Sequence, residues 1–327
     1  MTKVIGIASA LLVAMAISVS QSQAALTTFA SYNGTVAVST DGFGSTSQSG
    51  TLTANAPVGS TVLAAYLYTS TYCISCGSPT PGGTLNGTPV SYTSLGTNVV
   101  TPDFFSLTAY RANVTSIVAP IINGGAGGAY NFNVTETDSL QDGEALVVVY
   151  SNAALPNSSV GILDGFSAVT GDSTAINFTD PLDPSAAGFF AEMRLGIGFS
   201  CCTQASTVTV NGTTITTQAG NFDDGLQQAN GSLITMGGDN DAFSPLLPSY
   251  ADDHERYNLV PYIANGDTSI SIRTLNPSHD DNIFLAVFHV SGEAGFNQPP
   301  PTGVPEPGTL GLLGIGLAAM GFFARKR

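Results

Sequence analysis

Carboxylates are the side chains with the most chemistry to offer in this chain. Asp239-Asn240-Asp241 follows Gly237-Gly238, and Asp252-Asp253-His254-Glu255 precedes a strand pattern containing Tyr257 and Leu259. Calcium takes hard oxygen ligands converging from loops of this kind, so Asp239, Asp241, Asp252, Asp253 and Glu255 form a candidate calcium set, although no EF-hand spacing is present. The plainer reading of the same residues is solvated turns. A glycosidase also needs two carboxyls, held at a fixed separation across a sugar, which keeps a secreted hydrolase among the alternatives. Nucleophilic catalysis has less to stand on: no Gly-x-Ser-x-Gly elbow and no His-Glu-x-x-His helix occurs. His254, His279 and His289 read as solvated or hydrogen-bonded side chains, and no catalytic residue is assigned.

The four cysteines, Cys73, Cys76, Cys201 and Cys202, are an even set. In an oxidising compartment such a set reads first as disulfides, with three possible connectivities. Local closure of Cys73 with Cys76 and a vicinal Cys201–Cys202 bond are favoured, while cross-pairing would clamp two parts of the chain together. A zinc site is chemically open to the same residues.

These residues hang on short alternating runs. Val62, Ala64, Tyr66 and Tyr68 take one face of 61–69, Tyr130, Phe132 and Val134 one face of 129–136, and Ile270 and Ile272 one face of 269–273. Gly, Pro and Asn bound the runs, and no central segment sustains a helical period, so the class is all-β. Ala145–Tyr150 and Ile283–Val290 are apolar on both faces and are expected to lie centrally, between packed layers. The order of elements then repeats. Asp41-Gly42-Phe43 recurs as Asp164-Gly165-Phe166, Leu85-Asn86-Gly87-Thr88 as Val210-Asn211-Gly212-Thr213, and the segments around Tyr110, Tyr130 and Asp142 as those around Tyr257, Ile270 and Asp280. Two tandem, internally related β-sandwich units of jelly-roll type are expected, at residues 25–155 and 156–296, with one larger two-sheet jelly roll as the structural alternative. Both Asn-Gly pairs read as hairpin turns.

The two ends of the chain carry addresses. Lys3, an apolar stretch from Val4 to Val19 and Ser22-Gln23-Ala24 describe a signal peptide, residues 1–24, with a helical core and cleavage after Ala24. At the other end a Pro-rich linker, 297–304, leads to Pro305-Glu306-Pro307, an apolar run from Leu310 to Phe323, and Arg325-Lys326-Arg327. Fourteen helical residues reach about 21 Å, short of the roughly 30 Å hydrocarbon core, and the basic end belongs on the cytoplasmic side. In its three parts and their order, segment 305–327 resembles the PEP-CTERM signal of Gram-negative bacteria. The resemblance implies a sorting helix recognised by an exosortase-type enzyme, transient retention in the inner membrane, and a final place at the cell surface or in an extracellular matrix rich in exopolysaccharide.

Without its two ends the body keeps twenty-two acids against four arginines (Arg111, Arg194, Arg256 and Arg273), a net charge of −18 with no lysine. Such a surface repels nucleic acid and other polyanions, which excludes that partner class. Within the body, Tyr110-Arg111-Ala112-Asn113-Val114-Thr115, Gly128-Ala129-Tyr130, Asp142-Gly143-Glu144 with Ala145–Tyr150, and Asp164-Gly165-Phe166 resemble an uncharacterised family of secreted microbial β-rich proteins. Glu144-Ala145 stands where that family carries Trp-Ser. The resemblance implies a surface β-sandwich and contributes no catalytic residue. The functional expectation is a non-enzymatic surface or matrix protein, structural or adhesive, with no cofactor unless calcium binds. A carbohydrate-binding module for exopolysaccharide is the alternative, with Tyr66, Tyr68, Tyr72 and Tyr92 as contacts in a chain without tryptophan.

Overall fold

The computed structural model describes residues 26–44, 46–74, 79–100, 105–167, 171–198, 206–220, 233–248, 252–276 and 282–298. The signal segment with Ala24, Cys76, Cys201, Cys202, His279, and the tag with Pro305, Glu306, Pro307, Arg325, Lys326 and Arg327 lie outside the described residues.

Alternation in the sequence becomes strand after strand. In chain order these are β1 (Thr27–Gly34), β2 (Val36–Phe43), β3 (Ser49–Ala56), β4 (Thr61–Ile74), β5 (Gly83–Leu85), β6 (Thr88–Pro89), β7 (Thr93–Val100) and β8 (Phe105–Asn113). A helix α1 (Thr115–Ile122) precedes β9 (Gly128–Glu136) and β10 (Gln141–Ser151). Then come β11 (Ser158–Asp164), β12 (Asp172–Phe178), β13 (Ala191–Gly198), β14 (Ser206–Val210), β15 (Thr213–Ala219), β16 (Thr235–Met236), β17 (Arg256–Asn258), β18 (Ser269–Leu275), β19 (Asn282–Ser291) and β20 (Ala294–Phe296).

The strands form four antiparallel sheets. A first inner sheet runs β2-β10-β4-β8-β7 and a first outer sheet β3-β9-β5-β6. A second inner sheet runs β1-β11-β19-β13-β16, with β17 also on β13, and a second outer sheet β15-β14-β18-β12-β20. The order β2-β10-β4-β8 recurs as β11-β19-β13-β17, and β3-β9-β5-β6 as β12-β18-β14-β15. Three strands of the second pair of sheets are left over from this correspondence: β1 extends the second inner sheet at β11, β16 pairs with β13 beside β17, and β20 extends the second outer sheet at β12. The first pair of sheets is built from strands within residues 36–151, and the second from strands within residues 158–296 together with β1.

Three apolar cores fill the spaces between the four layers. The first lies between the first outer and first inner sheets (Leu52, Phe132, Leu67, Val148), the second between the two inner sheets (Tyr68, Val147, Ile162, Phe284), the third between the second inner and second outer sheets (Met193, Phe288, Ile270, Phe296). Strands with an inner-sheet address must be apolar on both faces, and β10 and β19 are. Leu146, Val148 and Tyr150 point into the first core while Ala145, Val147 and Val149 point into the second. On β19 a register shift opposite Gly196 and Ile197 turns Phe284 and Leu285 together into the middle core, leaving Ile283, Ala286 and Phe288 for the third. Each large side chain so enclosed contributes about 1.5–3 kcal/mol of hydrophobic burial.

Among the described residues two elements depart from the strand pattern, the helix α1 and a 3-10 turn at Val260–Tyr262. The stretch following Arg111 turns at Val114 into α1, which sends Val118 and Ile122 into the first core. Eight residues rich in Val and Ile, with no side-chain N-cap and with Pro120 inside, carry no helical signal that local propensity could reveal. Packing against β4 holds the turn, and Asn123 Oδ1 accepts the Val62 N–H at 2.7 Å.

The two Asn-Gly pairs are hairpin turns in the left-handed region: Asn86 has φ 49° and Gly87 φ 74°, Asn211 has φ 48° and Gly212 φ 79°. Each asparagine also reaches the next strand over. Asn133 N–H donates to Asn86 Oδ1 at 2.7 Å and Asn86 N–H donates to Asn133 O; Ser271 N–H donates to Asn211 Oδ1 at 2.8 Å and Asn211 N–H donates to Ser271 O. Asn86→Ala removes an acceptor and places an alanine at positive φ, so a loss of about 2 kcal/mol is expected by urea denaturation. Asn86→Gly, which relieves φ but not the lost bond, should recover part of it.

Candidate functional site

Four arginines among twenty-two acids make every cation of the body a landmark, and two of the four sit together where β2, β13 and the 237–241 loop meet. Arg194 projects from β13 with its side chain 5 % exposed. Its Nη1 donates to Asp239 Oδ1 at 2.5 Å and to Thr40 Oγ1 at 2.8 Å, and its Nη2 to Glu192 Oε2 at 3.1 Å. Arg256 on β17 donates to the same Glu192 oxygen at 3.3 Å and to the carbonyls of Asp239 and Asp241. From the first inner sheet, Ser39 Oγ donates to Asp239 Oδ2, Thr40 Oγ1 donates to Gly237 O, and Thr40 O accepts the Asp239 N–H. The loop is thus clipped to β2 while the arginines hold it to β13. This is an ionic seam across the junction of the two inner sheets.

Two further aspartates close on Gly238. Asp241 Oδ2 accepts its N–H at 2.7 Å, and a Cβ on Gly238 would lie 3.3 Å from Asp241 Oδ2 and 3.4 Å from Asp41 Oδ1. Asp41 Oδ2 accepts the Thr53 N–H at 2.6 Å. Burial pushes the Asp41 carboxyl up to about 6, with Asp241 and Asp239 adding to the rise against the pull of the Thr53 and Gly42 amides. Asp241 is likewise raised by burial. A protonatable carboxyl beside an arginine-paired carboxylate is a combination that acid–base chemistry uses. Here Asp239 is committed to Arg194 and Ser39, and Asp41 to a backbone amide.

The rest of the candidate calcium set lies elsewhere. Asp253 is buried, with Oδ1 accepting from Tyr257 OH at 2.5 Å and Oδ2 from Thr216 Oγ1 at 2.6 Å; Glu255 is buried, taking the Gly220 N–H at 2.7 Å and Tyr257 OH at 3.2 Å. Asp252 is exposed. The five carboxylates therefore fall into separate places, and among the described residues no three His, Cys, Asp or Glu side chains gather as a metal requires. Asp253 and Glu255 are core groups rather than solvated turns, with burial raising Asp253 and, more strongly, the Tyr257 phenol. Glu255 holds φ 55°, and alternation gives no notice of such inward carboxylates.

A second buried acid group fills the end of the first core. Glu144, fully buried, accepts from Tyr92 OH at 2.6 Å and Gln141 Nε2 at 3.1 Å, and burial drives its carboxyl well above the usual range. Glu136 nearby is pushed to about 7, again by burial, against the pull of the Gly143 amide. Glu144 Oε2 and Glu136 Oε1 have no hydrogen-bond partner among the described residues.

Asp164 anchors a third group, taking Tyr68 OH at 3.0 Å and Arg111 Nη1, while the Arg111 guanidinium lies 3.3 Å from the centre of the Phe29 ring. His289 is held neutral, pushed down to about 4 by burial, against the Phe190 ring and Ser158 Oγ. Cys73 is fully buried at the end of β4.

The tyrosines expected to stack on sugars are not surface platforms. Tyr68 is enclosed, Tyr66 is buried with its hydroxyl 3.2 Å from Tyr32 OH, Tyr92 is turned to Glu144, and Tyr72 packs on the middle core. Tyr66, Tyr68 and Tyr72 are β4 side chains, and the alternation that identified that strand also placed Tyr66 and Tyr68 inside, whereas Tyr92 lies in the connection before β7. The groups that sequence reading missed are Asp41, Glu192, Arg194 and Arg256. Scarcity of cations was the available signal, since a buried arginine has to find carboxylates.

Residues 303–327 match the PEP-CTERM protein-sorting motif, which marks the chain as an exported, surface-sorted protein and implies processing by an exosortase-type enzyme. No curated protein matches the chain. A solved structure, BuGH86wt in complex with neoagarooctaose, aligns with 12 % identity and a TM-score of 0.24 over 82 % of this chain and 34 % of its own. This chain thus spans about a third of that protein's length, and a likeness so slight carries no argument.

Proposed function

We propose that the chain is a non-enzymatic structural or adhesion component of the cell surface or extracellular matrix, made of two related, jelly-roll-like sandwich units. It is exported by its signal peptide, held briefly in the inner membrane of a Gram-negative cell, and delivered by cleavage near Pro305-Glu306-Pro307. The sorting motif at 303–327 is the observation that carries this reading. The side chains support it, because Asp239, Asp253, Glu144 and Asp164 are each spent on internal partners and do not converge on an open cleft. In an oxidising envelope the buried Cys73 would be closed in a disulfide, adding a covalent restraint suited to a protein outside the cell.

Fractionation of the native host with intact-mass analysis tests the proposal. The expected species begins at Ala25, ends near Pro305-Glu306-Pro307, and is found in the matrix or at the surface. Cells lacking the sorting protease should retain the uncleaved C-terminus in the membrane. Recovery only from the cytosol, with both ends intact, would overturn it.

A further inference from the structure

Large apolar side chains that face solvent are few in the described residues, and three of the seven fall within five positions: Phe243, Leu246 and Leu247 at 40, 66 and 67 % exposure. This cluster borders a cavity of about 150 Å³, lined by Phe243, Leu246, Asn258, Pro261 and Tyr262 among others. Ordinary ligand pockets begin at roughly 300 Å³, so the space suits a single ring rather than a whole cofactor.

The aromatic wall is built, not accidental. The Arg256 guanidinium lies 4.5 Å from the centre of the Phe243 ring and is itself fixed by Glu192 and by the carbonyls of Asp239 and Asp241. Ser244 N–H donates to Arg256 O, and Ser244 Oγ accepts the His254 N–H, so the residue that follows the ring is pinned twice. Also lining the cavity, Asn258 accepts the Val260 N–H at its Oδ1, which orients that amide and leaves its NH₂ to donate. An aromatic face, a proline and an oriented amide around one ring-sized space match a pyranose, which has an apolar C–H face and a hydroxyl rim. Glu192 and Asp239 are paired with Arg194 and Arg256, and it is the body's net charge of −18 that disfavours an acidic sugar and favours a neutral one.

We propose that the Phe243 cavity binds one neutral pyranose unit of a polysaccharide, with the sugar stacked on Phe243 and hydrogen-bonded by Asn258. The inference rests on the reading of the chain as a surface or matrix protein and adds a ligand class and a place for it. The test is calorimetric titration of the mature body, residues 25–303, with maltohexaose, laminarihexaose, cellohexaose and mannohexaose, and with a galacturonic acid hexamer as the acidic counterpart. Saturable binding of at least one neutral hexamer is expected. Phe243→Ala should weaken it roughly tenfold or more while lowering the melting temperature by no more than about 3 °C, the loss of one partly exposed cation–π contact, and Phe243→Trp should retain it. The proposal is overturned if no neutral hexamer binds, if Phe243→Ala binds as the parent does, if the acidic hexamer binds more tightly, or if Phe243→Ala abolishes self-association instead. Failure here with the protein still recovered from the matrix would remove the sugar site and leave the location standing; recovery from the cytosol would remove the location and leave the titration to be judged alone.

Discussion

Replacing Arg194 by methionine is expected to cost about 3–5 kcal/mol of folding stability, the largest loss from any single charge in the body. Methionine fills most of the volume, so the loss reports electrostatics rather than a cavity. The Arg194 side chain is 5 % exposed and serves Asp239, Thr40 and Glu192 at once. Its removal leaves Asp239 without its cation and Glu192 with Arg256 alone, both carboxylates being less than a fifth exposed. Because Asp239 is also tied to Ser39 on β2, the loss is expected to loosen the junction of the two inner sheets first. Urea denaturation is the measurement, with exposed Arg273→Met as the control that should stay within about 0.5 kcal/mol. Adding Asp239→Asn to the Arg194 variant should restore part of the loss, since an uncompensated carboxylate is then gone. A cost under about 1 kcal/mol for Arg194→Met would show that water already screens the seam.

Stability is also expected to increase as pH falls from 8 to 5, against the habit of proteins whose carboxylates are salt-bridged. Glu136 is held at about 7 in the folded state and Asp41 at about 6, both above their unfolded values. Between the unfolded and folded pKa the native state binds more protons, so this stability is fully present below about pH 4.5 for Glu136 and is lost as pH rises through 7. For the well-buried Glu136 the effect is on the order of 3 kcal/mol. Glu144, Asp164, Asp241 and Asp253 are raised too and act in the same direction. His289, pushed down to about 4, opposes them below pH 6.5 with a single proton and is outweighed. Denaturation midpoints at pH 5, 6.5 and 8 give the slope, and Glu136→Gln should flatten its upper part. A midpoint that rises from pH 5 to 8 would mean these carboxyls are ionised and hydrated in the folded protein.

Much of the architecture was legible because it rests on periodicity. Ala145–Tyr150 and Ile283–Val290 announced inner strands by being apolar on both faces, and the Asn-Gly pairs announced hairpins through a backbone preference that neighbours cannot easily override. Sites were less legible because their residues belong to distant segments. Arg194 meets Asp239 through the loop before β17 and Thr40 through a strand of the other inner sheet, and spacing along the chain cannot encode that meeting. Asp253 and Glu255 misled for a related reason. A run of acids reads as surface until a buried tyrosine, Tyr257, supplies the donor that turns it inward.

The placement of β1 constrains how the protein is made. Its neighbour is β11, and β11 is completed on its other side by β19, so the first strand to emerge from a translocation pore waits for the middle of the chain, and the pair it forms then waits for nearly the last strand. Residues 36–151, by contrast, contain every strand of the first inner and outer sheets and can close their shared core early. Secretion from the N-terminus therefore imposes a schedule: one core forms while the chain is still threading, the leading strand stays unpaired until residues 158–164 have crossed, and β11 keeps an open edge until residues 282–291 follow. Anything that slows delivery of those residues prolongs the exposure of a free edge, which makes export rate a determinant of aggregation for this chain.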